Sequence, residues 1–417
     1  MKLFSSLTGK TTEQRAIALD IGTEFVKVLI FSVEDGRAIV HGVGRQRQGL
    51  ADMQGGTVTD IHGVIGNCEH ALEQAAEQAG NLPDQVIMGI AGELVRGTTT
   101  TIKYVRPEPL TKISAEELQE MIGKVQRRAH DRAKGLLAWE TAQAEIDVRL
   151  VNAAIVDVRI DGYKVTNPLG FQGREVQVGV YSAFAPIVHL GALQTIAEEL
   201  DLELLSVAAE PYAVARVNGP DESSEFSGIF IDIGGGTTDI AVVNNGGLVG
   251  TKMFALGGRA FTKRLAQTAG ESFAVAEERK LKYATGLLTK PEAAEVTSAL
   301  ASDVAVWLSG VELTLGEFTN VDLLPSRILL CGGGSNLPDI AQILKDTTWS
   351  KDLPFAKQPS VHFLKPGDVT RVTDETNQLT SVQDITPMAL ANLAIDLVGR
   401  PSLEDGIIRR VVESLRA

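Results

Sequence analysis

Two stretches of the chain carry one hydrophobic pattern. In each, an apolar run ends in Asp-Ile-Gly and a second apolar run begins a few residues later. The first is Ala18-Leu-Asp-Ile-Gly-Thr23, resumed over 25–31; the second is Ile229-Phe-Ile-Asp-Ile-Gly-Gly-Gly-Thr-Thr-Asp239, resumed over 240–243. Short apolar runs broken by Gly at fixed offsets predict β-hairpins. The first hairpin extends through an Asp35-Gly36 turn into a meander over 13–45. Ile61, Val64, Ile65, Ala71, Leu72 and Ala75 recur at helical spacing and predict a helix over 60–80, followed by a strand over 85–91.

From about 97 to 182 the pattern changes to a Thr-rich strand, a helix over 114–130 opened by the capping box Ser114-Ala-Glu-Glu117, and strands over 151–160 and 175–181. This reads as a small α+β module inserted into the first domain. A helix over 186–200 and a strand over 204–210 close that domain. The second domain begins near Glu222, turns mostly helical over 257–322, and returns to a strand over 325–332. An irregular stretch with Pro354, Pro359 and Pro366 precedes a helix over 386–398 that runs back to the first domain. The expected division is 12–96 and 182–220 for the first domain with 97–181 inserted, and 221–256 and 325–384 for the second with a helical subdomain at 257–324. Residues 385–399 form the return helix and 400–417 an amphipathic tail.

A hairpin tipped with small residues turns several backbone N–H groups into a concave nest suited to phosphate oxygens, so Gly22, Thr23, Gly234, Gly235, Gly236, Thr237 and Thr238 are candidate phosphate-binding residues. Asp20 and Asp232 each end a buried-type strand, where a lone carboxylate is costly without a cation, and are candidate Mg²⁺ ligands; turn capping is the ordinary alternative for either alone. Asp239 braces the second hairpin or joins them. A third glycine-rich element, Ile328-Leu-Leu-Cys-Gly-Gly-Gly-Ser-Asn336, offers Gly332, Gly333, Gly334 and Ser335 for close approach to a base or ribose.

The 417 residues, 44% of them hydrophobic, suffice for two or more domains. A net charge of −14 argues against a nucleic-acid partner. Cys68 and Cys331 have no metal-type spacing and suit a reducing compartment. No uncharged apolar run reaches the ~20 residues of a spanning helix, and the N-terminus lacks a signal-peptide pattern.

Phosphate hairpin, phosphate hairpin and glycine-rich strand end, in that order, resemble the actin-like ATPase superfamily. The resemblance implies an actin-like (ribonuclease H-like) α/β two-domain fold with an inserted α+β subdomain, ATP and Mg²⁺ in an interdomain cleft, and a weak ATPase at most. Lys27 stands where actin-type proteins place a phosphate-binding lysine, a plain strand lysine being the alternative. Glu210 in Ala208-Ala-Glu-Pro-Tyr212 matches the segment whose acidic residue orients the attacking water; a charge at a helix start before Pro211 is the alternative. Glu277 and Lys280 match a Glu-x-x-Lys pattern used on ribose and adenine, with a surface ion pair as the rival.

Within the superfamily the chain resembles the FtsA family of bacterial cell-division proteins, through Gly42-Val-Gly-Arg-Gln-Arg-Gln-Gly49, Gly55-Gly-Thr-Val-Thr-Asp60, Asn167-Pro-Leu-Gly170 and Ala276-Glu-Glu-Arg-Lys-Leu-Lys-Tyr283. That family forms ATP-dependent polymers that link FtsZ filaments to the membrane, so the implied partners are a second copy of the chain, the FtsZ C-terminal peptide and an anionic membrane surface. The implied place is the cytoplasmic face of the cell membrane at the division site. Ala209-Glu-Pro-Tyr-Ala213 and Ala255-Leu-Gly-Gly258 look closer to the PilM family of pilus-assembly proteins, and a small-molecule kinase on the same core is a further alternative.

The tail lacks the aromatic residues of an FtsA anchor. On a helix it still places Ile407, Ile408, Val411, Val412 and Leu415 on one face and Arg409, Arg410, Glu413 and Arg416 opposite, which suits a headgroup-level anchor or docking on the protein's own surface. A second candidate anchor is the N-terminal segment 1–10 with Leu3, Phe4 and Leu7.

Overall fold

A computed structural model describes residues 14–92, 94–141, 146–217, 226–346 and 348–398. Strands β1 (Arg15–Ile21), β2 (Phe25–Glu34) and β3 (Arg37–Arg47) form the first meander, and the small hairpin β4 (Met53–Gln54) and β5 (Thr57–Val58) leads into helix α1 (Ile61–Ala79). Asp60 caps α1 by accepting from the Gly63 N–H, and Gly80, in the left-handed region, ends it. Strand β6 (Gln85–Ile90) pairs parallel with β1.

The inserted segment contains β7 (Arg96–Val105), α2 (Ala115–Thr141), β8 (Val148–Ile160), β9 (Tyr163–Lys164) and β10 (Glu175–Pro186). Helix α2 runs eleven residues beyond the predicted end, because Ala133 and Leu137 prolong the buried stripe of Leu118, Met121, Ile122, Val125 and Ala129. Its capping box is half formed. The Ser114 hydroxyl accepts from the Glu117 N–H, while the Glu117 carboxylate turns to the buried Arg106.

Helix α3 (Ile187–Glu199), strand β11 (Glu203–Ala209) and the one-and-a-half-turn helix α4 (Glu210–Ala215) follow. The second meander comprises β12 (Gly228–Ile233), β13 (Thr238–Asn244) and β14 (Gly247–Phe254). Helices α5 (Gly258–Ala269), α6 (Phe273–Ala284) and α7 (Lys290–Gly316) come next, then β15 (Arg327–Cys331), α8 (Pro338–Lys345), β16 (Ser360–Phe363), β17 (Val372–Asp374) and α9 (Ile385–Ala394).

The two sheets repeat one plan. The first has the order β11-β6-β1-β2-β3-β17, and β6-β1-β2-β3 there corresponds to β15-β12-β13-β14 in the second, β16-β15-β12-β13-β14-β7-β10-β8-β9. In both, an antiparallel meander is flanked by a parallel strand, so each hairpin tip emerges at the same end of its sheet. The inserted segment interrupts the first domain in sequence, yet its strands extend the second sheet. Thr98 and Gly97 of β7 pair with Gly250 and Thr251 of β14, and the Tyr181 hydroxyl meets the Thr251 hydroxyl at 3.0 Å behind that seam.

Helix α9 packs on β1, β2 and α4. Helix α7 is long and apolar enough to cross a membrane by length and composition alone. Val296, Leu300, Val304, Trp307, Val311 and Leu315, at spacings of three and four, are instead buried in the second core.

Candidate functional site

Both hairpins close with the same bond. In the first, the Gly22 N–H donates to the Phe25 carbonyl at 3.1 Å; in the second, the Gly234 N–H donates to the Thr237 carbonyl at 2.9 Å. The start of α5 fixes the second tip, through the Gly258 N–H to the Gly234 carbonyl (2.9 Å) and the Arg259 N–H to the Gly235 carbonyl (2.7 Å). The tips abut. A Cβ on Gly235 would lie 2.8 Å from Glu24 Cβ, and one on Gly236 would lie 2.8 Å from Thr23 Oγ1, so these glycines serve contact between the sheets as well as any nest.

Below the tips a cavity of ≈ 400 Å³ gathers residues from both sheets. Asp20, Glu210, Asp232 and Asp239 all line it, and Lys27 stands among them. Asp20 and Lys27 are cross-strand partners in the β1–β2 ladder, with Nζ 2.9 Å from Oδ2. Burial pulls the Lys27 pKa down, but the facing Asp20 charge and hydrogen bond outweigh it and hold the ammonium above its ordinary value. Burial and the charges of Asp20, Asp239 and Asp232 raise Glu210 well above the usual carboxylate range. Burial and Asp232 push Asp239 up to about 7 despite a 3.0 Å hydrogen bond from the Thr237 hydroxyl. Asp232 is raised by burial, partly offset by the Thr386 hydroxyl donating at 2.6 Å.

Four carboxylates around one ammonium form a site short of positive charge. Mg²⁺ is held by one or two carboxylates together with water and phosphate oxygens. Among the described residues no three His, Cys, Asp or Glu side chains converge as a complete metal shell. Asp20 and Asp232, one from each sheet, fit the partial shell that Mg²⁺ accepts.

Glu210 is the first residue of α4, placed there because Pro211 ends the preceding strand and starts the helix. Glu277 and Lys280 on α6 are not a surface pair: they are 5% and 8% exposed, 2.8 Å apart, and both line the cavity. Lys280 Nζ also donates to the Gly258 carbonyl (3.0 Å) and Thr262 Oγ1 (2.9 Å), and Thr262 donates to Glu277. This buried network ties α6 to the start of α5, which itself holds the second hairpin.

The glycine run after β15 also serves packing within the protein. Gly332 has φ +79°, and a Cβ there would lie 2.1 Å from Asp232 Oδ1; one on Gly334 would lie 2.4 Å from the Ile233 side chain. These two let β15 end against β12, and all three glycines line the cavity. Three expected site residues do not line it. The Thr238 hydroxyl is spent on the Leu256 carbonyl and the Trp307 indole, the Ser335 hydroxyl donates to the Gly332 carbonyl, and Gly236 is packed against Thr23. The tail residues Ile407 to Leu415 and the segment 1–10 lie outside the described residues.

The structure adds residues that sequence reasoning passed over. Arg259, at the start of α5, crosses to the first sheet, where Nε meets Glu24 Oε2 at 2.7 Å and the guanidinium also donates to the carbonyls of Gly49, Leu50 and Met53. Ser381, Gln383 and Thr386 add a further wall, and Arg45 pairs with the buried Asp384 beside it. Nothing local distinguishes Arg259 or Glu24 from surface charges; their adjacency to Gly257-Gly258 and to Thr23 was the available signal.

Comparison with known proteins places this geometry in context. The profile of the family "Cell division protein FtsA" matches residues 229–381. The chain is 24% identical to FtsA of Streptococcus pneumoniae over 420 residues, covering 96% of this chain and 88% of that one. It is 24% identical to FtsA of Pseudomonas aeruginosa over 354 residues, with 79% and 80% covered. Among solved structures, a PilM-PilN type IV pilus biogenesis complex superposes with a TM-score of 0.62 at 17% identity, covering 91% of this chain and 98% of that one. The chain is thus similar in sequence to FtsA along most of its length and has an actin-like α/β fold.

Proposed function

We propose that this protein binds Mg-ATP between its two sheets and polymerises on the cytoplasmic face of the membrane, where it anchors FtsZ filaments of the division ring. The observation that carries the reading is the meeting of two like hairpins, one from each sheet, over a cavity in which Asp20, Glu210, Asp232 and Asp239 are gathered with Lys27. The hairpin N–H groups, Thr23, Thr237 and Lys27 would take phosphate oxygens; Asp20 and Asp232 would take Mg²⁺. Glu277, Lys280 and Gly333 would lie toward ribose and base. Bound Mg²⁺ supplies the positive charge that the carboxylates lack. Glu210, kept protonated or shared by its neighbours, would position water for slow hydrolysis. Because groups from both sheets would grip one ligand, binding favours the closed arrangement and, with it, the filament.

Asp232→Ala is expected to abolish Mg-ATP binding in calorimetry, and retained affinity would leave the second hairpin a purely structural element. The partner and membrane are tested together. Liposomes with anionic lipid, loaded with the full chain and Mg-ATP, should carry FtsZ into the pellet, and a chain ending at residue 406 should not. FtsZ left in the supernatant while a pilus-protein N-terminal peptide is retained would favour the PilM-like reading.

A further inference from the structure

Past the midpoint of α2, Arg128, Arg132, Gly135 and Trp139 follow at spacings of four, three and four, with Leu136 beside them, and all five are exposed opposite the buried Ala133 and Leu137. They make one stripe. Between 124 and 139 the chain holds five cations, Lys124, Arg127, Arg128, Arg132 and Lys134, against the carboxylate of Asp131, in a protein whose net charge is −14. This local excess runs against the charge of the whole molecule.

Part of it is spent within the fold. Lys124 sits 2.7 Å from Glu120 and 4.6 Å from the centre of the Tyr104 ring, and Lys134 lies 3.9 Å from Asp147. Arg128 and Arg132, on the stripe itself, have no ion-pair partner among the described residues. Asp131 lies at the flank beside His130. Trp139 is 81% exposed and Leu136 44%, whereas Trp307 and Trp349 are buried. An indole raised on a convex helix face, two and three turns from two unpaired guanidiniums, suits a surface that is anionic outside and apolar beneath.

We infer that this face of α2 is a contact for an anionic lipid surface, with Arg128 and Arg132 against lipid phosphates and Trp139 and Leu136 at headgroup level. Charge and shape together select the occupant. An acidic peptide would answer the arginines alone, whereas a bilayer also takes up the indole without needing a groove. The inference rests on the proposed place at the membrane and adds the surface that faces it. Each arginine near such a bilayer strengthens binding about fivefold, too little to anchor a protein, so the face would act beside the tail as a second contact that turns the inserted segment toward the lipid.

Trp139 supplies its own reporter, because the other two tryptophans are buried. Vesicles of equal parts phosphatidylglycerol and phosphatidylcholine, added to the full chain, should shift its emission to the blue, and lipid brominated at the top of the acyl chains should quench it. Vesicles of phosphatidylcholine alone should do neither. Reversing both charges in Arg128→Glu/Arg132→Glu should weaken vesicle binding at least about tenfold and leave the helix intact, since both positions are exposed and Glu forms helix nearly as well as Arg. Circular dichroism verifies the fold, and Arg128→Gln/Arg132→Gln serves if the reversed chain is not folded. An emission that stays put on anionic vesicles, a response that survives Trp139→Phe, equal quenching on the zwitterionic vesicles, or undiminished binding of the charge-reversed chain would overturn the inference. So would a blue shift that grows with protein concentration in the absence of vesicles, which would assign the face to a second copy of the chain. A vesicle pellet that carries FtsZ while Trp139 is silent leaves the proposed function standing, and a Trp139 response without FtsZ in the pellet does the reverse.

Discussion

Lys27→Met should cost the protein about 3–5 kcal/mol of stability, and millimolar Mg²⁺ should return a large part of it. Methionine keeps the unbranched stem and removes the ammonium. In the wild type that ammonium is 2.9 Å from Asp20, whose side chain is 3% exposed, and it faces the charge of Asp232 as well. Removing one partner of a buried ion pair leaves the other charge unmatched, which costs more than the pair itself contributes. Here the orphaned carboxylate would also face Glu210, Asp232 and Asp239 across the cavity. A divalent cation bound by Asp20 and Asp232 would substitute for the missing charge, so the variant should gain more stability from Mg²⁺ than the wild type does. Denaturant midpoints measured with EDTA and with Mg²⁺ give the comparison. Equal midpoints for both proteins in EDTA would mean that water already satisfies these carboxylates and that no charge-deficient site exists.

The features legible in the sequence were those with a local cause. The hairpins showed because an apolar run, a carboxylate and small tip residues fall within a dozen positions, and β1–β2 and β12–β13 form where expected. Helix α1 showed its limits because Asp60 and Gly80 act on their immediate neighbours. What depended on distant pairing stayed hidden. The seam between β7 and β14 joins residues some 150 positions apart through two paired positions, and neither strand carries a mark of the other. For the same reason Arg259 looked like any exposed arginine until the fold set it against Glu24, 235 positions away.

The candidate elements meet around one cavity, but not every candidate side chain on them faces it. Thr238 and Thr237 are adjacent and chemically alike, but strand alternation turns one toward the cavity and the other toward Trp307. Asp239, ambiguous in the sequence, is cross-strand to Asp232 and completes the carboxylate group. Gly332 was legible as a special position, but not the protein neighbour that excludes a side chain there, which is Asp232. Composition gives the type of a residue, whereas the direction of its side chain follows from register, which only the assembled sheet fixes.

The same carboxylate group should give the nucleotide-free protein an unusual pH profile, with stability falling between pH 5 and 8. Asp239 rises from 3.8 to about 7 on folding, so across that interval the native state holds a proton that the unfolded chain has released. Stability then decreases as pH rises, by ~1.4 kcal/mol per unit, reaching a loss of roughly 4 kcal/mol once Asp239 ionises near 7. Asp232 and Glu210, also raised, act with the same sign. Lys27, raised above 10.5, holds its favourable contribution through this range and loses it only in stronger base. His189, lowered from 6.5, works in the opposite direction, its cost disappearing as pH rises. Below about pH 4 the depressed carboxylates of Asp161, Asp346 and Glu292 must be protonated, which removes stability again and places the maximum near pH 4–5. Chemical denaturation at half-unit intervals in EDTA should show the decline, Asp239→Asn should flatten it, and Mg²⁺ should flatten it in the wild type by compensating the ionised group. A wild-type profile that stays level or rises from pH 5 to 8 would show that these carboxylates ionise without penalty, and an unchanged slope in Asp239→Asn would move the proton to Glu210 or Asp232.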